Sequence, residues 1–420
     1  MFALVDCNNF FVSCERVFQP HLEQKPTIVL SNNDGCVIAR SNEVKKMGIP
    51  MGAPIHKYKH LLKQNNVKTF SCNFQLYGDF SNRVMSTIKA FAEDVQVYSI
   101  DEAFINLDLI HNVSHYEYAV ELRNIIKQWV GIPTSIGMGP TKTLAKLTNE
   151  VAKKNEEFQG VLNYDDYSNK DELLERVEVG DIWGVGRRYA QFLNGWNIYN
   201  ARQFRDMSLK WVKQNMSING VRTVMELRGT ACFPIHDAPD TRKSILTSRS
   251  FGYSVTSAKD MREAVASYVC RAAEKLREEK LAAQYVTVFI KTNKHRQNQQ
   301  QYSNSYTITL NQASIYNPDL IDAALKALKK IFLDGYYYKK AGVLLTGLVP
   351  MNQVQLSFLN DTRNSDQKEK IMHVFDEINN NYGKRTIRYA ATGTRKPWSM
   401  KQDMRSPRYT TKWSELRRVG

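Results

Sequence analysis

An α+β fold built in several parts is predicted for this chain, and three features predict it. Short apolar, strand-like runs alternate with helical stripes over residues 1–165. A helical stretch punctuated by glycines follows at about 166–236. A strand–helix–strand–strand–helix–strand series then fills about 243–350. A chain of 420 residues has room for roughly two to four such parts.

The elements follow in order. FALVD at 2–6 is short and apolar, the pattern of a buried strand. From Ser13 to about Val67, Pro20, Pro26, Pro50 and Pro54 cut the chain into short pieces. Within it PTIVLSN (26–32) reads as a strand, and GCVIARSNEVKKMG (35–48) as a strand and a short helix ending at Gly48. Leu76, Phe80, Val84 and Ile88 recur at spacing four and predict a helix over 74–91. Two strand-like runs, 95–100 and 103–108, leave Asp101 and Glu102 at a hairpin. Ser114 and Glu117 have capping-box spacing, and Ala119, Leu122, Ile125, Ile126 and Trp129 continue as a helical stripe. A strand at 134–138 and a helix from Thr141 complete a split βαβ, ferredoxin-like order. That order would bring the strand ends bearing Asp6 and Asp101 together.

The carboxylates are the chemical signal. Asp6 ends the first apolar run, and the Asp101–Glu102 pair lies in the second acidic stretch, VYSIDEAFINL. Neighbouring side chains on a regular strand point to opposite faces, so both members of the pair reach one site only where the strand bends. Three carboxylates near one sheet edge repel one another unless cations lie between them. Oxygen-only ligands suit Mg²⁺, which usually works on phosphates. Two such ions can hold the attacking and leaving oxygens of a phosphoryl transfer. An aspartate ending a strand is also an ordinary turn residue.

Charge points to a polyanionic partner. The chain carries 58 Lys/Arg against 42 Asp/Glu, a net charge of +16. Residues 382–420 hold eleven basic residues and two acids, over half of that excess. No 18-residue apolar span and no signal-peptide pattern is present, so a cytoplasmic protein without membrane association is expected. Cys7, Cys14, Cys36, Cys72, Cys232 and Cys270 show no C-x-x-C spacing, so reduced thiols are expected rather than a zinc site.

In IWGVGRR, Gly184 and Gly186 flank one apolar residue before a basic helix starting near Arg187. This is the pattern of a helix–hairpin–helix turn, whose backbone N–H groups can meet a DNA phosphate; an ordinary glycine turn has the same look. The third part reads as strand 245–254, helix 260–281, strand 285–291, strand 304–310, helix 318–333 and strand 342–348. Asn317 and Pro318 are read as cap and first helical residue of its second helix. KTNKHRQNQQQYSN (291–304) is either a solvated loop or a DNA-facing hairpin.

Together FALVDCNNFFVSCE, NNDGCVIARSNEVKKMGIPMG, YSIDEAF, GMGPTKTLAKLTNEVAKK, IWGVGRR, SRSFG and SPRYTTKWSELRRV resemble the Y-family of translesion DNA polymerases, in particular the UmuC-type catalytic subunit of bacterial DNA polymerase V. The resemblance runs from residue 2 to the C-terminus, with the motifs in the same order. It implies a right-hand polymerase. The ferredoxin-like palm would occupy 1–165 with small fingers inserted at about 11–72. A helix–hairpin–helix thumb would occupy 166–236 and an α+β little finger 243–350. A clamp-binding peptide and basic tail would fill 351–420. It implies that Asp6, Asp101, Glu102 and the Cys7 carbonyl hold two Mg²⁺ ions. Glu102 would help hold the metal that lowers the pKa of the primer 3′-hydroxyl, which attacks the α-phosphate of a dNTP. Phe11, with Phe10 beside it, falls at the aromatic steric gate beneath the sugar. Lys153 and Lys45 would neutralise the triphosphate. Gly184, Gly186, Arg187 and Arg249 would contact DNA, and Gln355, Leu356 and Phe358 would bind the sliding clamp.

The implied activity is error-prone, template-directed synthesis past damage in the SOS response. Implied partners are primer-template DNA, a UmuD′-type processed dimer, a RecA filament and the clamp. The sequence departs from the family pattern in two places. Asn42 stands where many members have a tyrosine touching the triphosphate, and QLSFL (355–359) exchanges the last two residues of the usual clamp peptide. The competing readings are a stand-alone bypass polymerase, a catalytically idle DNA-binding or clamp-occupying protein of the same fold, and a nucleotide cyclase with a similar palm.

Overall fold

The computed structural model describes residues 1–111, 113–235, 241–354 and 363–417. They fall into two compact units, one of 1–31, 35–239 and 404–420, the other of 32–34 and 240–403.

In the first unit, β1 (Phe2–Cys7) leads into α1 (Phe10–Phe18). Next come β2 (Thr27–Leu30), β3 (Val37–Arg40), α2 (Asn42–Lys46), α3 (Ile55–Gln64) and β4 (Lys68–Ser71). These three strands make a small sheet, β3-β2-β4, over a core of Ile28, Leu30, Val37, Val44, Ile49 and Leu62. The chain returns through α4 (Phe74–Phe91), β5 (Val95–Val97), β6 (Glu102–Asn106), α5 (His115–Val130), β7 (Thr134–Gly139), α6 (Lys142–Lys154) and β8 (Val161–Asn163). The main sheet has the order β5-β6-β1-β7-β8. β1 is antiparallel to both β6 and β7, which is the expected ferredoxin-like arrangement, and β8 adds a parallel strand beside β7.

Side-chain alternation divides this sheet. Ala3, Val5, Ala103 and Ile105 join the core with Leu76, Phe80, Val84 and Ile88 of α4 and Leu122 and Ile126 of α5. Leu4 and Phe104 point the other way and pack on Ala145 of α6. Asp6 and Glu102 share that second parity. At Gly137, a Cβ would sit 2.1 Å from the backbone nitrogen of Asn149, so only glycine lets α6 lie this close to β7.

The Ser114–Glu117 capping box forms as its spacing predicts. Its helix buries Ala119, Leu122, Ile126 and Val130, whereas Trp129 is 62% exposed. The buried stripe therefore steps by three and four residues to Val130, one position past the tryptophan that the sequence reading had placed in it.

The chain continues through α7 (Lys170–Glu175), α8 (Arg187–Asn194), α9 (Ala201–Arg205) and α10 (Leu209–Leu227), over Leu173, Ile182, Leu193, Phe204, Val212 and Val224. Gly184 at φ 90° makes the turn before α8, and extended Gly186 caps it.

The second unit contains β9 (Ile245–Val255), α11 (Ala258–Glu278), β10 (Leu281–Thr292), β11 (Ser303–Ser314), α12 (Asn317–Ile331), β12 (Tyr338–Pro350) and α13 (Arg363–Asn381). The antiparallel sheet β11-β10-β12-β9 buries Val286, Val288, Val343 and Leu345 against Val265, Val269, Leu320 and Leu328. Residues 291–304 are the ends and turn of the β10–β11 hairpin. Asn317 does not cap α12. Tyr316 precedes the helix without a side-chain cap, and the Asn317 carboxamide oxygen accepts from Arg277 at 3.0 Å instead. Among the described residues no helix is long and apolar enough to cross a membrane, and all six cysteines are thiols.

Candidate active site

The carboxylates gather on the α6 side of the main sheet. Asp6 and Glu102 are direct partners in the β1–β6 register. The Cys7 N–H donates to the Asp101 carbonyl at 2.9 Å, fastening the hairpin turn to the end of β1. Asp101 itself lies in that turn, and Glu102 is the first residue of β6, so the bend required by adjacent acids is present. The Ser99 hydroxyl donates to Asp101 Oδ1 at 2.5 Å and also accepts the N–H groups of Asp101 and Glu102.

Helix α6 supplies counter-charges. Lys153 Nζ lies 2.5 Å from Asp6 Oδ2, and Lys146 Nζ lies 2.6 Å from Glu102 Oε1. The two lysines are seven residues apart, two helical turns, and so share one face. That spacing is the signal that could have found Lys146, which the sequence reading missed. Burial pushes the Asp6 carboxyl up to about 7 against the opposing pull of Lys153, and nearby Glu102 pushes it further the same way. Burial and the surrounding carboxylates push the Cys7 thiol up, so its sulfur stays protonated.

The oxygen-only donor set suits a hard divalent cation. The side chains are not drawn into one cage: no group of three or more metal-ligating side chains is assembled among the described residues. Asp6 and Glu102 face ammonium groups, and Asp101 faces Ser99. The Asp6 and Glu102 carboxyls also lie within hydrogen-bond reach of each other.

Asn9, in the left-handed region at φ 49°, turns the chain from β1 into α1. Phe10 is buried to 3%, whereas Phe11 is half-buried and stacks on Tyr77 with centroids 4.5 Å apart and planes 14° apart. Phe74 meets its edge at 5.8 Å. Lys45 on α2 lies within electrostatic reach of Lys153 and Asp6. Burial first, then Lys153 and Arg40, hold its ammonium below the usual lysine range. The Asn42 carboxamide accepts from Asn9 at 3.0 Å.

Gly184, Gly186 and Arg187 are exposed on the helical segment, apart from the carboxylates in sequence and element. Arg249 shares the β9 parity of Thr247 and Phe251. With Tyr268, Arg271 and Lys396 it lines a cavity of about 570 Å³ in the second unit. Gln355, Leu356 and Phe358 lie outside the described residues.

Comparison with known proteins decides the family. Residues 5–150 match the impB/mucB/samB family and residues 242–358 its C-terminal domain. The chain belongs to the impB/mucB/samB family. Residues 369–419 match a domain of unknown function, DUF4113. The chain is 41% identical to Protein UmuC of Salmonella typhimurium, covering 100% of both chains. It is 39% identical to Protein ImpB of the same organism, covering 99% of both. DNA polymerase IV 1 of Bacillus subtilis is 25% identical over 92% of each chain. Among solved structures, a Y-family DNA polymerase chimera of Dbh and Dpo4 aligns with TM-score 0.65 at 21% identity, covering 83% of this chain and 99% of that one. DinB from Sulfolobus solfataricus aligns with TM-score 0.51 at 20% identity, covering 84% and 100%. The fold is that of a Y-family polymerase, and this UmuC-like chain is a DNA-directed DNA polymerase of translesion synthesis.

Proposed function

We propose that nucleotidyl transfer takes place at Asp6, Asp101 and Glu102, and the observation that carries this reading is the direct pairing of Asp6 with Glu102 beside the Asp101 turn. Family membership supports a divalent-metal requirement in general. More finely, these carboxylates and the Cys7 carbonyl would hold two Mg²⁺ ions. When bound, such ions lower the pKa of the primer 3′-hydroxyl and neutralise charge on the phosphates.

The protein's own groups do the rest. Lys153 and Lys146 neutralise Asp6 and Glu102, and a triphosphate would offer Lys153 a second anion. Lys45 on the neighbouring segment supplies a further positive charge. Phe11, backed by the Tyr77 ring and with Phe10 tilted beside it, forms the floor under the sugar and leaves no volume for a ribose 2′-hydroxyl.

On this reading the main sheet with its helices is the palm (1–165) and the β3-β2-β4 insert within 11–72 the fingers. The segment 166–236 is the thumb and the unit built on 243–350 the little finger. Exposed Gly184, Gly186 and Arg187 would meet backbone phosphates of primer-template DNA, and Arg249 would add a further contact. A cytoplasmic location fits a chain acting on chromosomal DNA. A UmuD′-type processed dimer, a RecA filament and the sliding clamp, the last through Gln355, Leu356 and Phe358, are the partners that the relationship to UmuC suggests. An idle DNA-binding role is disfavoured by the intact acidic set.

The test is primer extension with purified protein and Mg²⁺ on intact and abasic templates, with and without those partners. Extension past the abasic site supports the reading. DNA binding without extension under every condition contradicts it.

A further inference from the structure

The last described residues of the chain form a strap on the first unit. The Ser71 N–H donates to the Met404 carbonyl at 3.1 Å, and the Met404 N–H donates to Ser71 Oγ at 3.0 Å, so the strap runs on beside β4. Asn73, just before α4, donates its carboxamide N–H groups to the Ser406 carbonyl (3.1 Å), Ser406 Oγ (3.0 Å) and the Pro407 carbonyl (3.2 Å). Tyr409 stacks on Phe18 of α1 at 4.3 Å. Arg408 is held by Glu415 and by Gln75.

One polar chain runs inward from this strap. The Ser406 hydroxyl donates to Glu15 Oε1 at 2.9 Å. The same oxygen accepts from the Tyr77 hydroxyl at 2.8 Å. The Tyr77 ring is the surface on which Phe11 stacks. Glu15 and Tyr77 are wholly buried, and Ser406 is 5% exposed. Glu15 Oε2 is buried with no hydrogen-bond partner among the described residues. A buried carboxyl with an unpaired oxygen is a costly way to fill a core, and apolar side chains would stabilise the same space better. What it supplies is direction: it ties one tyrosine hydroxyl and one serine hydroxyl to a single point.

We propose that the strap at 404–417 sets the position of the Phe11 ring through Ser406, Glu15 and Tyr77, and so tunes discrimination between deoxyribose and ribose. Ser406, Glu15 and Tyr77 are positioning residues and touch no substrate. The inference rests on the reading of Phe11 as the sugar-sensing ring. The C-terminal strap is thus part of the nucleotide pocket's support, in addition to any partner it meets on its outer side.

The experiment measures kcat/KM for a dNTP and its matched rNTP in the full-length wild type, Phe11→Ala, Tyr77→Phe, Ser406→Ala and the double variant Phe11→Ala/Ser406→Ala. Tyr77→Phe keeps the stacked ring and removes only the bond to Glu15, so it serves if Ser406→Ala folds poorly. The expected result is a fall in the dNTP-to-rNTP ratio of about five- to tenfold in each of the two positioning variants, the scale of one lost hydrogen bond. That fall should come mainly from faster rNTP use. In the double variant, Ser406→Ala should add nothing to Phe11→Ala, because the strap acts through that ring. If Phe11→Ala lowers the ratio while Tyr77→Phe and Ser406→Ala leave it unchanged, the strap inference is overturned and the Phe11 reading stands. Parallel loss of dNTP and rNTP activity, or an additive double variant, overturns it as well, by showing a merely structural role. An unchanged ratio in Phe11→Ala overturns both.

Discussion

Asp6 and Glu102 stand directly opposite one another on antiparallel β1 and β6, each with a lysine of α6 against it. On the proposed function, Lys153 would pass between the Asp6 carboxylate and an incoming triphosphate. Lys153→Gln is expected to raise the dNTP KM by about tenfold or more, as loss of a charge-assisted contact does, with a smaller effect on kcat. Steady-state kinetics over a range of dNTP concentrations checks this, and an unchanged KM removes Lys153 from the pocket.

Phe11→Ala is expected to lower the dNTP-to-rNTP ratio of kcat/KM by about tenfold or more, because a clash discriminates more strongly than a missing contact. The measurement is single-nucleotide insertion with each triphosphate. A ratio equal to the wild type would make the half-buried ring a packing residue only.

Glu15 predicts a pH dependence of stability. Burial pushes its carboxyl from the usual 4.5 up to about 7, against hydrogen bonds from Tyr77 and Ser406. Between those values the folded chain keeps a proton that the unfolded chain has released. Stability from this group is therefore full below about 4.5 and is lost as pH rises toward about 7. The full change is on the order of 3 kcal/mol. Asp6 has the same sign, so the comparison must be differential. Urea unfolding at about pH 5 and pH 7 should show a larger drop in the wild type than in Glu15→Gln. Equal drops would contradict the assignment.

Gly137→Ala should destabilise the fold by about 1–3 kcal/mol or more, as overpacking does, since its Cβ would fall 2.1 Å from a backbone nitrogen of α6. Lysines 146 and 153 ride on that helix, so activity should fall with Tm. A variant with wild-type Tm would mean that α6 does not lie against β7 as described.

Much of this architecture was legible because its signals are local. Leu76, Phe80, Val84 and Ile88 announce their helix by spacing alone, and Ser114 with Glu117 announce the start of another. Trp129 misled because an apolar side chain one position from the stripe has the right chemistry and the wrong angle. The Lys146–Glu102 pair joins residues 44 apart, and the Ser406–Glu15 bond joins residues 391 apart. No periodicity encodes such contacts. They exist only once β6 meets α6 and the strap crosses α1, and a serine in a basic tail gives no sign of them.

Whether the chemistry takes place at the carboxylates is tested most directly by primer extension by Asp101→Asn and Glu102→Gln in Mg²⁺, with DNA affinity measured on the same preparations. A fall in extension rate of about a thousandfold or more is expected, the scale of several kcal/mol of lost transition-state stabilisation. DNA binding should stay close to the wild type. Near-normal extension by both variants would contradict the proposed site, and would place the chemistry away from the paired carboxylates of β1 and β6.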